Sequence, residues 1–267
     1  MPQFPVSSPS PAVPSESNAA WTNGYRVRLA RTADEVRSAQ HLRFLVFNLE
    51  LKEGLDASYA TGLDADPFDA VCDHLLVEEQ GNGTVVGTYR LQTGERAAGG
   101  IGYYSAREFD FAPFESFRPD LLELGRACIV EGHRSFTVLS LLWRGIARYA
   151  AAKGSRYLVG CSSLPLTDPA QGVAAYRALE GHLAGPEFRT VPLIDFACMT
   201  APATTTPPIP RLLHAYLALG ARICGPPALD REFGTIDFLT VLDLATLPDR
   251  TRARWGLSGA EDSTDLL

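Results

Sequence analysis

The sequence predicts a mixed α/β (α+β) fold in which a central sheet is flanked by helices. Residues 121–130 form a run too apolar for a half-exposed strand, so this strand is expected to be covered on both faces. Residues 139–150 carry apolar side chains at steps of three and four, which is typical of an amphipathic helix. Residues 156–161 give a second apolar strand, and the intervening helix predicts that the two strands run parallel.

Composition limits the functions open to the chain. With 267 residues and 46% hydrophobic content, the chain can bury the core of one large domain. A net charge of -7 argues against general nucleic-acid binding. The five cysteines are widely spaced without a CxxC pair, so we expect no metal site, no disulfide framework and a reducing cytosol. No apolar run is long enough to span a bilayer, and the N-terminus lacks the pattern of a secretory signal.

The chain divides into three predicted parts. Residues 1–20 are rich in proline and serine and have little to bury, so we expect them to be disordered. Residues 21–255 are expected to form a single domain. Residues 256–267 are expected to form a loose acidic tail.

Local patterns place the elements of this domain in order. Alternation predicts a first strand over residues 25–30. Thr32 and Glu35 have the spacing of a capping box and predict a helix that runs to about Phe47. The segment after it has no periodicity and is interpreted as a long binding loop. The remaining predicted elements are hairpin strands 74–79 and 84–91, helices 172–183 and 211–219, and closing strands 221–224 and 236–242.

Two charged residues interrupt the apolar run of the central strand. Glu123 and Arg126 would each cost several kcal/mol if buried without a partner. Strict alternation would place them on opposite faces, but Gly125 between them could host a β-bulge that redirects the side chains. Two interpretations stay open: a structural ion pair in the core, or a carboxylate at Glu123 whose pKa desolvation raises so that it serves as a general base.

The helix after the central strand has a basic side. Arg144 and Arg148 lie along it, Lys153 is in its last turn, and Arg134 belongs to the turn before it. Free backbone N–H groups at a helix start favour an anion. The basic side chains are interpreted either as a solvated face or as a surface that meets a phosphorylated or acidic acyl carrier.

The predicted elements follow the order strand, helix, sheet, central strand, turn, helix, strand, and this order resembles the fold of the Gcn5-related N-acyltransferases (GNAT). Four motifs resemble the acyl-homoserine-lactone autoinducer synthases: Arg43-x-x-x-Phe47, Asp66-x-x-Asp69, Arg90 in GTYRL, and Glu123-x-x-Arg126. Longer segments resemble the ornithine-lipid-forming N-acyltransferases: CDHLLVEE (72–79), ELGRACI (123–129), LLWRGIARY (141–149), GCSSLPLTDP (160–169) and residues 216–244. The resemblance implies a GNAT fold with a mixed central sheet, flanked by helices and splayed at the active-site strand.

The resemblance also implies a reaction. Enzymes of this kind transfer a 3-hydroxyfatty acyl group from acyl carrier protein to the α-amino group of an amino acid, here expected to be ornithine, and form lyso-ornithine lipid. The implied partners are acyl carrier protein and the amino acid, with no cofactor beyond the carrier thioester. The resemblance also implies a cytoplasmic location, and peripheral contact with the inner membrane face stays open.

Site roles follow from the same resemblance. Glu123 and Arg126 are the implied catalytic residues, with Glu123 removing a proton from the amine directly or through a water. The implied substrate-binding residues are Arg43, Phe47, Asp66, Asp69, Asp73, Arg90 and Phe109. Arg90 or Arg126 would bind the carboxylate of the amino acid. Asp66, Asp69 or Asp73 would bind the side-chain ammonium of ornithine.

The remaining roles concern the acyl donor. Phe109, with Leu124 and Leu158, is expected to line the acyl slot. The implied carrier-binding residues are Arg134, Arg144, Arg148 and Lys153.

Other functions remain open. One is an autoinducer synthase or another N-acyl amino acid synthase, although the segment LELKEGLD lacks the tryptophan that autoinducer synthases carry there. Another is an N-acetyltransferase that uses acetyl-CoA, although the turn EGHRSF holds one glycine where such enzymes have a glycine-rich loop. A third is a non-catalytic module that binds an acyl carrier or a lipid.

Overall fold

The computed structural model describes residues 21–257, and its centre is one mixed sheet. The strands are β1 (Tyr25–Leu29), β2 (Asp73–Glu79), β3 (Val85–Thr93), β4 (Leu121–Ile129), β5 (Tyr157–Leu164), β6 (Arg222–Ile223), β7 (Ala228–Asp230) and β8 (Thr235–Asp243). Their order across the sheet is β1-β2-β3-β4-β5-β8-β6, and β7 pairs with β8 outside that path. The predicted disorder of residues 1–20, and most of the predicted loose tail, lie outside the described residues.

Seven α-helices surround this sheet in the described range. They are α1 (Ala33–Phe44), α2 (Ser58–Thr61), α3 (Gly94–Gly99), α4 (Phe136–Lys153), α5 (Pro169–Ala178), α6 (Arg211–Leu219) and α7 (Asp249–Trp255). Between residues 21 and 257, no helix is both long enough and apolar enough to cross a membrane.

The predicted centre of the fold is confirmed. β4 pairs antiparallel with β3 and parallel with β5, and α4 is the connection between β4 and β5. Leu121 of β4 belongs to one core cluster and Leu122 to another, so the strand is covered on both faces. Gly154 ends α4 in the left-handed conformation at φ 71°, as its position predicts.

The sheet opens between β4 and β5. The two strands pair from Leu121↔Tyr157 to Glu123↔Val159, whereas β5 continues alongside β8 as far as Leu164↔Ile236. A Cβ atom on Gly160 would lie 2.3 Å from the carbonyl oxygen of Leu124, so only glycine lets the backbones approach this closely where they begin to separate. The predicted splay is therefore present.

The predicted bulge is present, one residue beyond Gly125. Thr88 pairs with Cys128 and Arg90 with Gly125, so Arg126 and Ala127 together face the single residue Tyr89. The left-handed conformation is adopted by Arg126 itself, at φ 51°. A non-glycine residue in this region is uncommon and is held there by its surroundings.

Several element bounds differ from the predictions. The first helix is α-helical only to Phe44 and continues as a π-helical turn over Leu45–Glu50. The helix expected over 172–183 begins at Pro169 instead, because Asp168 accepts a hydrogen bond from the N–H of Ala170 and proline is favoured at the first helical position. β7 was not predicted, since three residues are too few to show a period.

Candidate active site

A cavity of about 800 Å³ occupies the opening between β4 and β5. Its charged and polar lining includes Glu53, Arg90, Tyr104, Ser105, Glu123, Arg126, Cys161, Ser163, Asp230, Thr235 and Asp237. Its apolar lining includes Phe47, Leu124, Trp143, Ile146, Leu158, Leu213, Leu219, Phe233, Leu242 and Trp255. The volume and the mixture of a large apolar wall with few polar groups are typical of a site for a small molecule.

Glu123 lies at the last residue pair before β4 and β5 separate. Its side chain is buried, and its two carboxylate oxygens accept hydrogen bonds from the backbone N–H groups of Tyr104 and Ser105, each at 2.8 Å. Burial raises the pKa of Glu123 and outweighs these hydrogen bonds, which act in the opposite direction. A carboxylate has lone pairs beyond the two used here, so Glu123 can still accept a proton.

The structure does not pair Glu123 with Arg126, so the interpretation as a structural ion pair is wrong. The guanidinium of Arg126 instead lies 3.0 Å from Asp66 and 3.3 Å from Asp64, between the rings of Tyr104 and Phe233. Burial alone would lower the pKa of Arg126. The phenol of Tyr104 and the carboxylates of Asp64 and Asp66 outweigh burial and raise the pKa of Arg126, so its guanidinium stays charged.

Arg126 belongs to a buried network of three arginines and three aspartates. Its members are Arg43, Arg90, Arg126, Asp64, Asp66 and Asp69. Arg43 donates to Asp64 at 2.8 Å and to Asp69 at 2.7 Å. Arg90 donates to Asp66 at 2.6 Å and to Asp69 at 3.1 Å. Three positive charges thus face three negative charges, and the arginines hold the pKa of Asp69 well below its usual range despite its burial.

This network changes the interpretation of several predicted binding residues. Arg43, Asp66 and Asp69 all belong to the network, and none of them lines the cavity. Arg43 pairs with Asp69, whereas Asp66 pairs with Arg90 and Arg126. Asp64 completes the set and was not singled out from the sequence. The loop that carries these aspartates is thereby fixed against β3 and β4.

Three further predicted residues have different places. Phe47 lines the cavity and contacts the edge of Phe233 at a ring-centroid distance of 6.1 Å. Asp73 accepts a hydrogen bond from the hydroxyl of Tyr149 at 2.6 Å and pairs with Arg96, away from the cavity lining. Phe109 is buried in an aromatic core cluster and does not line the cavity either. Of the predicted acyl-slot residues, Leu124 and Leu158 do line it.

The four predicted carrier-binding residues do not form one cluster. Arg134 precedes α4, where it pairs with Glu50 and donates to the carbonyl of Ile129. Lys153 is exposed at the other end of the helix, and 18 residues span about 27 Å. Arg144 and Arg148 lie one turn apart between these ends and are partly buried.

A second group of buried acids was missed by sequence reasoning. A carboxylate oxygen of Glu108, the thiol of Cys161 and a carboxylate oxygen of Asp237 all lie within 4.8 Å of one another. Asp237 accepts a hydrogen bond from the hydroxyl of Thr235 at 2.9 Å. Burial, reinforced by neighbouring carboxylates, raises the pKa of Glu108 to about 9 and that of Asp237 to about 6. The available signal was Asp237 itself, a charged residue inside an apolar closing strand.

Comparison with known proteins places the chain among N-acyltransferases. Residues 42–144 match the family model described as "Acetyltransferase (GNAT) domain". The chain is 34% identical over 248 residues to an L-ornithine N(alpha)-acyltransferase of Agrobacterium fabrum, covering 86% of this chain and 84% of that protein. The protein of the same name from Rhizobium meliloti is 31% identical, with 96% of this chain and 92% of that protein covered.

Solved structures agree on the fold. The acyl-homoserine-lactone synthase LasI superposes with a TM-score of 0.51 at 16% identity, covering 89% of this chain and 97% of its own. FeeM, an N-acyl amino acid synthase from uncultured soil microbes, superposes with a TM-score of 0.50 at 13% identity, covering 86% and 93%. The predicted GNAT architecture is confirmed.

Proposed function

The chain belongs to the L-ornithine N(alpha)-acyltransferase family, and we propose that it transfers a 3-hydroxyfatty acyl group from acyl carrier protein to the α-amino group of ornithine. The product is lyso-ornithine lipid, a precursor for membrane lipid synthesis. The single observation that carries this proposal is the cavity in the split sheet, with Glu123 where the strands separate and a long apolar wall beyond it.

The chemistry is direct transfer from sulfur to nitrogen. The ammonium of the amino acid first loses a proton, and the free amine attacks the thioester carbonyl. The new C–N bond forms, the C–S bond breaks, and the thiolate leaves with a proton, so one proton is released in total. Because a thioester is already an activated acyl group, the reaction needs no cofactor.

Glu123 is the proposed general base. Its desolvated carboxylate has a raised pKa, which brings its basicity closer to that needed to accept a proton from an ammonium, directly or through a water. The oxyanion of the tetrahedral intermediate would be stabilised by a backbone N–H of the bulge at Arg126 and Ala127, where the ladder to β3 is interrupted.

Arg126 is the proposed partner of the substrate carboxylate. Its guanidinium lines the cavity and is charged, so a substrate carboxylate would share it with Asp64 and Asp66. Arg90 also lines the cavity and pairs through its Nη1 with Asp66 and Asp69, so it is the second candidate.

The apolar wall supports a long acyl group over acetyl. Trp143, Ile146, Leu158, Leu242 and Trp255 belong to the main core cluster or pack against it, and all of them also line the cavity. An acetyl group would leave most of this surface uncovered, whereas each methylene buried against it contributes about 0.8 kcal/mol.

The carrier would dock near the start of α4. Arg134 is exposed there, Phe136 is 63% exposed, and the guanidinium of Arg254 lies 5.4 Å from the Phe136 ring centre. A basic and apolar surface at a helix N-terminus suits an acidic carrier with its phosphopantetheine group. Arg144, Arg148 and Lys153 remain proposed contacts further along the helix. Peripheral contact with the inner membrane face is also proposed, because the product is a lipid.

Lipid mass spectrometry tests the proposal in one measurement. A host that lacks aminolipids is compared with and without the chain expressed, and a new mono-acylated ornithine is expected. Expression of Glu123→Gln should give none. With purified protein, consumption of 3-hydroxyacyl carrier protein is then compared with that of the same acyl group on CoA. A soluble, folded enzyme that consumes neither thioester in the presence of ornithine would contradict the proposal.

A further inference from the structure

One wall of the cavity carries carboxyl groups that form no ion pair with a basic residue in the part of the chain that the structure describes. Asp237 on β8, Asp230 at the end of β7 and the half-buried Glu53 line the cavity. Glu108 lies behind them, with its carboxylate oxygen close to Asp237 and to the thiol of Cys161. Asp230 and Asp237 reach the cavity from β7 and β8, whereas Glu123 reaches it from β4.

The basic groups nearest to this wall are already engaged. Arg126 is paired with Asp64 and Asp66, and Arg107 with the exposed Glu232 at 3.3 Å. Glu108 is 2% exposed, and its Oε2 has no hydrogen-bond partner among the described residues. A buried carboxylate oxygen without a donor is costly, and a ligand that supplies the donor would remove that cost.

The donor set of the cluster suits a compact cation. Its two carboxyl groups and one thiol lie close enough together for a metal ion as well as for an ammonium, and dialysis against EDTA distinguishes the two. A primary ammonium offers three N–H donors in a compact group, and it needs only oxygen acceptors.

The place of the cluster relative to the proposed base fits an acceptor with two amines. The hydroxyl of Ser105 is hydrogen bonded by the thiol of Cys161 at 3.5 Å, and the backbone N–H of Ser105 donates to Glu123. The carboxyl groups of this wall therefore lie close to the position at which an α-amine would react. A side chain that extends from the reacting carbon toward β8 would bring its end to Asp237.

We propose that Asp237 and Glu108, with Asp230 beside them, bind the side-chain ammonium of a diamino acid and so make the enzyme selective for ornithine over neutral amino acids. This inference rests on the proposed function, whose acceptor it explains. It also replaces the sequence-based assignment of the ammonium to Asp66, Asp69 or Asp73. Those three carboxylates do not line the cavity, and each is already bound by an arginine or by Tyr149.

The test compares two acceptors that differ only in the terminal amine. kcat/KM is measured for ornithine and for norvaline, with the same acyl donor, in the wild-type enzyme and in Asp237→Asn. We expect Asp237→Asn to lower kcat/KM for ornithine by roughly tenfold to a hundredfold, as for the loss of a hydrogen bond to a charged group, and to change the value for norvaline by less than about threefold. Glu232→Gln is the matched control, because Glu232 is on the same loop as Asp230 but is 61% exposed.

The outcomes separate the two proposals. If the wild-type enzyme acylates neither amino acid, the proposed function fails. If it acylates ornithine and Asp237→Asn keeps the full preference over norvaline, the ammonium site is wrong and the function stands. If Asp237→Asn does not fold, Glu108→Gln is measured in the same way, with the same expectation for ornithine. Loss of the ornithine preference after dialysis against EDTA, and its return with a divalent metal alone, would assign the cluster to a metal and overturn the inference.

Discussion

Two buried charged regions border the same cavity, and they differ in how their charges are balanced. In the network of Arg43, Arg90 and Arg126 with three aspartates, each positive group meets a negative one at hydrogen-bonding distance. In the cluster of Glu108 and Asp237, carboxylates face each other and a neutral thiol. The charges of the balanced set are met within the fold, whereas the carboxyl groups of the unbalanced set are available to the cation that we propose. The contrast separates charges that the protein itself satisfies from charges that a substrate would satisfy.

The largest expected effect comes from breaking the balanced network. Arg43→Met leaves Asp64 and Asp69 buried with one cation fewer, and we expect the free energy of unfolding to fall by about 3–5 kcal/mol. Urea unfolding at neutral pH measures the change. Arg37→Met is the control on the same helix, because Arg37 pairs with Asp34 in solvent and should change stability by less than about 1 kcal/mol. Equal losses for the two variants would show that the network is not a structural unit.

Glu123 lies between the two regions, and its replacement separates catalysis from structure. We expect Glu123→Gln to lower kcat/KM by at least about a hundredfold, as for the loss of a general base. Because burial raises the pKa of Glu123, the wild-type activity should rise with pH through a value above 4.5, and this limb should vanish in the variant. The exposed Glu180→Gln is the control.

The same variant can also reveal a purely structural role for Glu123. A carboxylate that served only to hold the backbone of Tyr104 and Ser105 would, once replaced, give a lower melting temperature and a higher KM. In that case kcat and the shape of the pH profile would stay as in the wild-type enzyme, and the general-base role would be wrong.

Gly160 keeps the two regions at their spacing, because it lies where β4 and β5 part. A methyl group there would meet the carbonyl oxygen of Leu124 at 2.3 Å, so the strands would have to move. We expect Gly160→Ala to cost about 1–3 kcal/mol of unfolding free energy. Gly181→Ala is the matched control, since a Cβ atom on Gly181 meets nothing within 4 Å. A variant as stable as the wild-type protein would show that the strands separate without help from this glycine.

The sequence predicts one region better than the other for a physical reason. The β4–α4–β5 unit is specified locally, by two apolar runs, a helical period and the stop at Gly154. The motifs that contain Arg43 and Arg90 identify members of the balanced network, although Asp64 was missed. The acid cluster joins Glu108, Cys161 and Asp237, and no local pattern connects residues so far apart in the chain. Only the pairing of β5 with β8 brings the last two together.

The bulge shows a similar limit. Gly125 is the residue whose type suits a left-handed conformation, yet Arg126 adopts it. The aspartates and the rings of Tyr104 and Phe233 hold the guanidinium, and they lie 22 or more positions away in sequence. Long-range contacts of a charged side chain thus outweighed a local backbone preference.

The smallest expected effect is a gain of stability in the unbalanced region. Burial and the nearby Asp237 and Asp230 raise the pKa of Glu108 from 4.5 to about 9, against the opposing influence of Arg107 and Arg126. The folded chain therefore holds a proton that the unfolded chain releases near pH 4.5, so Glu108 makes the wild-type protein lose stability as the pH rises from about 4.5 to 9. Glu108→Gln removes this dependence and should add about 0.5–2 kcal/mol at pH 8 without substrate, and less at pH 5. Melting temperatures at the two pH values measure it, and a variant that is destabilised equally at both would mean that the Glu108 carboxylate is satisfied within the fold and needs no cation.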